Sequence, residues 1–184
     1  TALIDKGAKT IIIAHLNRPN GRVIESERMT PVSQRLAELI SRPVIQCKEC
    51  VGPMVEATIQ SMKPSDVIML ENIRFYQEEL DNNSEFSKLI ASYGDYFVQD
   101  AFGVVHRAHA STVGIPNYLP SYAGALLSKE VTVMNELLKQ PKRPLVAIIG
   151  GSKISTKLTV LHHLVEHVDT LILGGAMVYT LFKA

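Results

Sequence analysis

Thr10-Ile11-Ile12-Ile13-Ala14-His15-Leu16-Asn17-Arg18-Pro19 is a run of β-branched and apolar residues that stops abruptly on a histidine and an arginine. Continuous apolar positions without alternation are what a parallel strand buried on both faces demands. The same kind of run returns at residues 43–46, 67–70, 96–99, 145–149 and 170–173. Between the runs the period changes from continuous to helical. Val32, Leu36 and Leu39/Ile40 step by four and three, as do Val55, Ile59 and Met62, and Phe86, Leu89/Ile90 and Tyr93. Leu127, Val131, Met134 and Leu138 form a further stripe, and Leu158, Leu161, Val165 and Val168 the last. Thr30-Pro31 reads as a helix start, with Thr30 as the capping hydroxyl and Pro31 at the first helical position. Strands alternating with helices predict an α/β fold of doubly wound parallel sheets with both sheet faces covered.

Length and composition bound the reading. At about 150 residues per domain, 184 residues are one large domain or a domain and part of a second. Lys+Arg 19 against Asp+Glu 18 leaves a net charge of +1, which disfavours a polybasic nucleic-acid binder and an acidic tail. Charged residues at 20% and hydrophobic ones at 46% are the proportions of a folded chain, not a disordered one. No apolar run approaches the ~20 residues of a membrane-spanning helix. Cys47-Lys-Glu-Cys50 lacks a second pair to complete a zinc site and is followed by Val-Gly-Pro, so reduced thiols are expected. Reduced thiols and the lack of a signal region at Thr1 point to the cytoplasm. Both ends read as interrupted helices, and a fragment is expected.

Residues 101–123 carry Gly103, Gly114, Pro116 and Pro120 and show no clear strand or helix; so long a loop is usually functional. A helix over 125–139 follows. Gln140-Pro141-Lys142-Arg143-Pro144 then breaks the chain before the next strand. Three segments result: a domain over 1–123, a connecting helix and linker over 124–144, and the opening of a second α/β unit over 145–184.

In open parallel sheets ligands bind beyond the carboxyl ends of the strands. The first three strand ends in question release His15, Arg18 and Arg22, then Glu71, Asn72 and Arg74, then Asp100, His106, Arg107 and His109. Guanidinium forks match carboxylate and phosphate oxygens in pairs. A single loop arginine is ordinarily just solvated, but the set marks a pocket for a small, highly anionic ligand. Glu71 and Asp100 are candidate counter-ions fixing arginine rotamers. The last two strands run into Gly150-Gly151-Ser152-Lys153, with Lys157 beyond, and into Gly174-Gly175. Glycine pairs let backbone approach a phosphate, and lysines one helical turn apart neutralise a polyphosphate. Neither the Walker A spacing nor Gly-x-Gly-x-x-Gly is present. His162-His163 reads as solvated surface.

Together these motifs resemble phosphoglycerate kinase. His15-Leu16-Asn17-Arg18-Pro19, Leu70-Glu71-Asn72-Ile73-Arg74-Phe75 with Glu78-Glu79, and Asp100-Ala101-Phe102-Gly103 through His106-Arg107-Ala108-His109-Ala110-Ser111 are similar to three of that family's loops. Gly150 through Lys157 and Leu173-Gly174-Gly175-Ala176-Met177 are similar to two more, in the family's order. The resemblance implies a Rossmann-like two-domain kinase truncated at both ends, with 1–123 in the domain that binds 3-phosphoglycerate. It implies reversible phosphoryl transfer between 1,3-bisphosphoglycerate and MgADP, giving 3-phosphoglycerate and MgATP, a glycolytic and gluconeogenic step. By the same resemblance His15, Leu16, Asn17, Arg18, Arg74 and Arg107 bind substrate. Arg22, Glu71, Asn72, Asp100, His106 and His109 support the site or stand outside it. Gly150, Gly151, Ser152, Lys153, Lys157, Gly174 and Gly175 bind nucleotide, with Lys153 and Lys157 catalytic.

Mg2+ arrives with ATP or ADP, and its protein ligand is expected outside this chain. A cytoplasmic monomer that bends about a hinge is implied, with neither nucleic acid nor membrane as partner, and with the 184-residue chain inactive alone. Two departures stand out. Asn17 replaces a glycine, which its tolerance of positive φ makes mild, and Ala176 replaces another where backbone is expected to approach closely. A non-catalytic anion-binding module and an unrelated doubly wound nucleotide enzyme are the alternatives. The Gly150–Lys157 segment argues against the first, and the missing glycine fingerprints against the second.

Overall fold

A computed structural model describes residues 1–184 other than Ser152, Lys153, Ile154, Thr156 and Ala184, and the side chain of Leu181. The chain separates into two compact units, Thr1–Leu127 and Ser128–Ala184. The first runs α1 (Ala2–Asp5), β1 (Thr10–Ile12), α2 (Thr30–Ile40), β2 (Ile45–Gln46), α3 (Pro53–Gln60), β3 (Val67–Met69), α4 (Gln77–Leu80), α5 (Ser84–Ala91), β4 (Phe97–Gln99) and β5 (Ser121–Ala123). Helix α6 (Ala125–Lys139) carries the chain on. The second unit contains β6 (Val146–Gly150), α7 (Leu158–His167), β7 (Thr170–Gly174) and α8 (Met177–Lys183).

Every strand pair is parallel. β3 is the middle strand of the order β1-β3-β2, with Ile11 opposite Ile68 and Ile45 also opposite Ile68. Being central, β3 is buried at every position, and Ile68 and Leu70 are fully enclosed. Around them gather Cys47, Cys50, Val55, Met62, Ile73, Phe86, Ile90, Ala91, Ala110 and Ile115, one core fed by β3, α3, α5 and the 101–123 segment. Two of the helical stripes read from sequence are therefore faces that α3 and α5 turn inward, whereas those of α2, α6 and α7 leave Leu39, Leu138 and Val165 exposed.

The structure departs from the sequence reading in four places. Cover on both sheet faces holds for β3 but not for the small sheets β4-β5 and β6-β7: Val98, Tyr122, Val146, Ile148 and Ile172 are exposed. The strands also end a residue or two from their expected limits. The segment 101–123 is not structureless, because β5 pairs in parallel with β4, Phe97 opposite Ser121. A parallel pair needs a long crossover, and here the crossover is built from short 3-10 turns at Phe102–Val104 and Ile115–Asn117 and a π-helical turn at Ala110–Gly114 instead of an α-helix. Last, Met29 is the residue flanking α2, and Thr30 makes no side-chain cap; Pro31 still falls in the first turn. None of the described helices is long and apolar enough to cross a membrane.

Gly114 is what allows the crossover to fold down. It is buried, and an added Cβ would stand 2.7 Å from Asn82 Oδ1 and 2.8 Å from Ser87 Cβ. Gly114→Ala should therefore destabilise the protein by about 1–3 kcal/mol, the usual cost of overpacking. Gly103→Ala, whose added methyl meets nothing within 4 Å, should stay within about 0.5 kcal/mol of the parent. Equal denaturation midpoints for the two variants would refute this account of the crossover.

Candidate functional site

The first unit holds a cleft of about 570 Å³ lined by His15, Asn17, Arg18, Arg74, Gly103, Val104, His106 and Arg107. Its walls come from the loop after β1, the turn after β3 and the crossover after β4, the three strand ends singled out in the sequence. Tertiary folding has thus brought three arginines and two histidines around one space. Among the described residues no carboxylate forms an ion pair with Arg18, Arg74 or Arg107.

A buried framework holds these groups. Glu71 is almost fully buried, and its Oε1 accepts hydrogen bonds from the backbone N–H of Met29 (2.8 Å) and of Asn72 (2.8 Å). Its Oε2 receives Arg28 Nη1 at 3.1 Å. Asn72, fully buried, donates from Nδ2 to the carbonyls of Leu16 (2.9 Å) and Glu27 (3.0 Å). Its Oδ1 accepts from Arg74 N at 3.2 Å and caps the turn Ile73–Phe75. Arg74 Nη1 donates to the Asn17 carbonyl at 2.9 Å. The loop after β1 is therefore bound along its backbone by the turn after β3. Asn17 takes φ 56, the conformation glycine would otherwise supply, and an asparagine accepts it readily.

On the crossover side, Glu79 plays the matching part. Buried, it accepts from Ser111 N (2.8 Å) and Ser111 Oγ (2.6 Å), and lies 3.5 Å from His109 Nδ1. The Thr112 hydroxyl donates to the Arg107 carbonyl at 2.6 Å and accepts from His109 N at 3.0 Å, which fixes the backbone beneath Arg107.

The expected site residues sort accordingly. His15, Asn17, Arg18, Arg74, Arg107 and His106 line the cleft. Leu16 contributes its carbonyl to Asn72 but does not line it, Arg22 is exposed and outside it, and His109 turns to Glu79. Two expected roles are corrected. Glu71 pairs with Arg28 and not with a cleft arginine. Asp100 accepts from Leu127 N at 2.9 Å in the first turn of α6 and packs on Gly124, so it caps a helix instead of orienting an arginine. Arg28, Glu79 and Ser111 were not anticipated as site supports. An acid three to five residues beyond the Arg74 segment, facing a cation-rich loop, was the available signal for Glu79.

In the second unit the two glycine pairs meet. Gly150 is opposite Gly174 in the β6–β7 register. At Gly175, φ is +73, and a Cβ would lie 2.9 Å from the Gly151 carbonyl oxygen and 3.0 Å from its nitrogen. Met177 N donates to the Gly151 carbonyl at 3.0 Å. The Lys157 ammonium reaches the same spot, 2.9 Å from where a Gly151 Cβ would be. The close approach expected at Ala176 thus falls on Gly175, while Ala176 is exposed. Lys157 flanks α7 as its N-cap and is not inside a helix. Ser152 and Lys153 lie outside the described residues.

Cys47 and Cys50 are free and buried, and the Cys50 thiol donates to the Glu71 carbonyl at 3.0 Å. Burial pushes the Cys50 thiol well up, leaving it a poor nucleophile.

The cleft's electrostatics follow from its crowding. Burial first, then Arg74, His109 and Arg107, lower the pKa of His15. Burial and the neighbouring Arg107 and Arg18 lower that of Arg74, with Glu79 opposing them. Burial and the cleft arginines also lower His109, against the pull of Glu79. The folded cleft thus binds protons less readily than the unfolded chain. His15 contributes stability above its ordinary pKa of about 6.5, and that contribution is lost as the pH falls below it. A bound anion should reverse the shift. Sulfate titrated by calorimetry at pH 6.0, in two buffers of different ionisation enthalpy, should bring proton uptake that vanishes at pH 8.0 and largely disappears in His15→Asn. Uptake unchanged by either would show that His15 does not face the anion.

Comparison with known proteins comes to the same place. The family model for phosphoglycerate kinase matches residues 1–184. The phosphoglycerate kinase of Rippkaea orientalis is 49% identical over 183 residues, covering 99% of this chain and 46% of that protein. The chloroplastic enzyme of Chlamydomonas reinhardtii is 48% identical over 183 residues, 99% of this chain and 40% of that protein. Among solved structures, phosphoglycerate kinase from Coxiella burnetii superposes with a TM-score of 0.79 at 37% identity, over 98% of this chain and 45% of that one. That from Pyrococcus horikoshii gives 0.86 at 29% identity, over 99% and 47%. The chain therefore spans slightly less than half the length of the curated relatives it matches, and it belongs to the phosphoglycerate kinase family.

Proposed function

We propose that this chain carries the acid-substrate site and the start of the nucleotide site of a phosphoglycerate kinase. The enzyme would move a phosphoryl group reversibly between 1,3-bisphosphoglycerate and MgADP. The observation that supports this most strongly is the cleft of about 570 Å³ that gathers His15, Arg18, Arg74 and Arg107 without a pairing carboxylate among the described residues. Such a site is cationic in excess and takes a ligand bearing both a phosphate and a carboxylate, which 3-phosphoglycerate is. Arg18 and Arg107 supply bidentate donors, Asn17 and Arg74 set the wall they stand on, and His15 gains a proton as the anion settles.

On this reading the first unit is the 3-phosphoglycerate-binding domain and the second opens the nucleotide-binding domain. Gly174 leaves space beside its backbone for a phosphate, Gly151 and Gly175 let their two turns pack closely, and Lys157 adds a point charge. Lys153 is proposed beside it from sequence alone. Mg2+ is carried by the nucleotide. Phosphoryl transfer asks little covalent chemistry of a protein and much alignment and charge neutralisation. The acid-substrate site and the nucleotide site are proposed to work together, with the α6 region and the linker through 144 as the proposed hinge. Free, buried cysteines accord with a cytoplasmic enzyme, and monomeric action is part of the same proposal.

In the full-length enzyme, Arg18→Ala and Arg107→Ala should each weaken 3-phosphoglycerate binding roughly ten- to hundredfold, the value of one charged hydrogen bond, while leaving ADP binding alone. Calorimetry showing an equal loss for ADP would count against the division of sites. Lys157→Ala should lower kcat more than it changes either substrate's affinity, and steady-state kinetics with an unaltered kcat would remove it from catalysis. The 184-residue chain by itself should show little or no turnover in a coupled assay.

A further inference from the structure

The sequence sets His162 beside His163, but a helix turns them about 100° apart. Positions i, i+3 and i+4 share a face, and on α7 these are His163, Glu166 and His167. One ligand atom from each lies within 4.8 Å of the others, and all three side chains are exposed. Leu161 is buried on the opposite face, so the cluster is not part of the unit's packing.

Three features favour a cation there. First, the donor set is two imidazoles and one carboxylate, the combination that suits borderline first-row dications and not hard ones such as Mg2+. Second, His167 Nδ1 stands 2.6 Å from the His163 carbonyl oxygen, with the two rings 6.1 Å apart. A carbonyl only accepts, so Nδ1 carries the proton and Nε2 keeps its lone pair. A backbone carbonyl holding one ring nitrogen is the usual support of a metal-ligating histidine. Third, the cluster occupies the last two turns of α7, the negative end of the helix dipole, and Glu166 adds a further negative charge.

We propose that His163, Glu166 and His167 form a surface site for one Zn2+ or Cu2+ ion. Modest side-chain rotations bring the three donors to the ~2.0–2.2 Å metal distances these ligands adopt. The remaining coordination position is open to water or to a small external ligand. The site is independent of the nucleotide's Mg2+, whose protein ligand is expected outside this chain.

The test is titration of the chelator-treated full chain with ZnCl2 or CuCl2 by calorimetry, with equilibrium dialysis to count bound metal. One equivalent should bind, Cu2+ more tightly than Zn2+, and a hundredfold excess of Mg2+ should not compete. His163→Gln and His167→Gln should each lower affinity by roughly tenfold or more, since even an outer partner of a metal ligand is worth that. His162→Gln should leave it unchanged. Glu166→Gln should weaken Zn2+ binding without changing thermal unfolding of the metal-free chain. Failure to bind either metal at millimolar concentration would overturn the proposal. So would binding that survives His163→Gln and His167→Gln, or that disappears in Cys47→Ser.

Discussion

Everything in the first unit that faces the cleft hangs on the buried polar knot at the end of β3. Ile68 and Leu70 drive that strand into the centre of the core, and the chain then has to leave it carrying Glu71 and Asn72, both buried. A buried carboxylate and amide are tolerable only if their hydrogen bonds are met. They are met by Met29 N, Asn72 N and Arg28 on one side and by the carbonyls of Leu16 and Glu27 on the other. Asn72 N apart, the partners lie more than forty positions away in sequence, so satisfying the knot is the same act as placing the loop after β1. Arg74, the next residue but one, then reaches Asn17. The packing of the central strand and the architecture of the site are one constraint.

The cleft itself runs the other way, toward electrostatic frustration. Its framework acids point elsewhere: Glu71 to Arg28, Glu79 to Ser111 and His109, Asp100 to the start of α6. What remains toward the opening is cationic, and the depressed affinity of His15 and Arg74 for protons is its signature. Structural acids that turn away from a cationic space leave it to be neutralised by a ligand. The near-neutral charge of the whole chain hides this separation, since a net +1 is compatible with one strongly positive concavity.

In the second unit it is backbone that packs closely. A Cβ on Gly175 would lie 2.9 Å from the Gly151 carbonyl oxygen, and one on Gly151 would lie 2.9 Å from the Lys157 ammonium. Lys157 fills the neighbouring space with a charged tip and a flexible stem.

The sequence alone determined the class of fold and which loops carry the cations that line the cleft. All six runs read as strands are strands, because continuous β-branched residues have no other comfortable buried state, and the helical stripes became helices for the same reason. The arginines and the glycine pairs were legible because parallel strands deliver their carboxyl ends to one edge. What the tertiary structure decided was who speaks to whom. That Glu71 and Asp100 ignore the cleft arginines, that Glu79 serves His109, and that β5 pairs with β4 across a crossover of short 3-10 and π-helical turns are long-range choices. Hydrophobic period reports which way one element faces, but a hydrogen bond between residues forty positions apart depends on how the elements pack. The same holds for α7: adjacency in the chain paired His162 with His163, and the pitch of the helix paired His163 with His167.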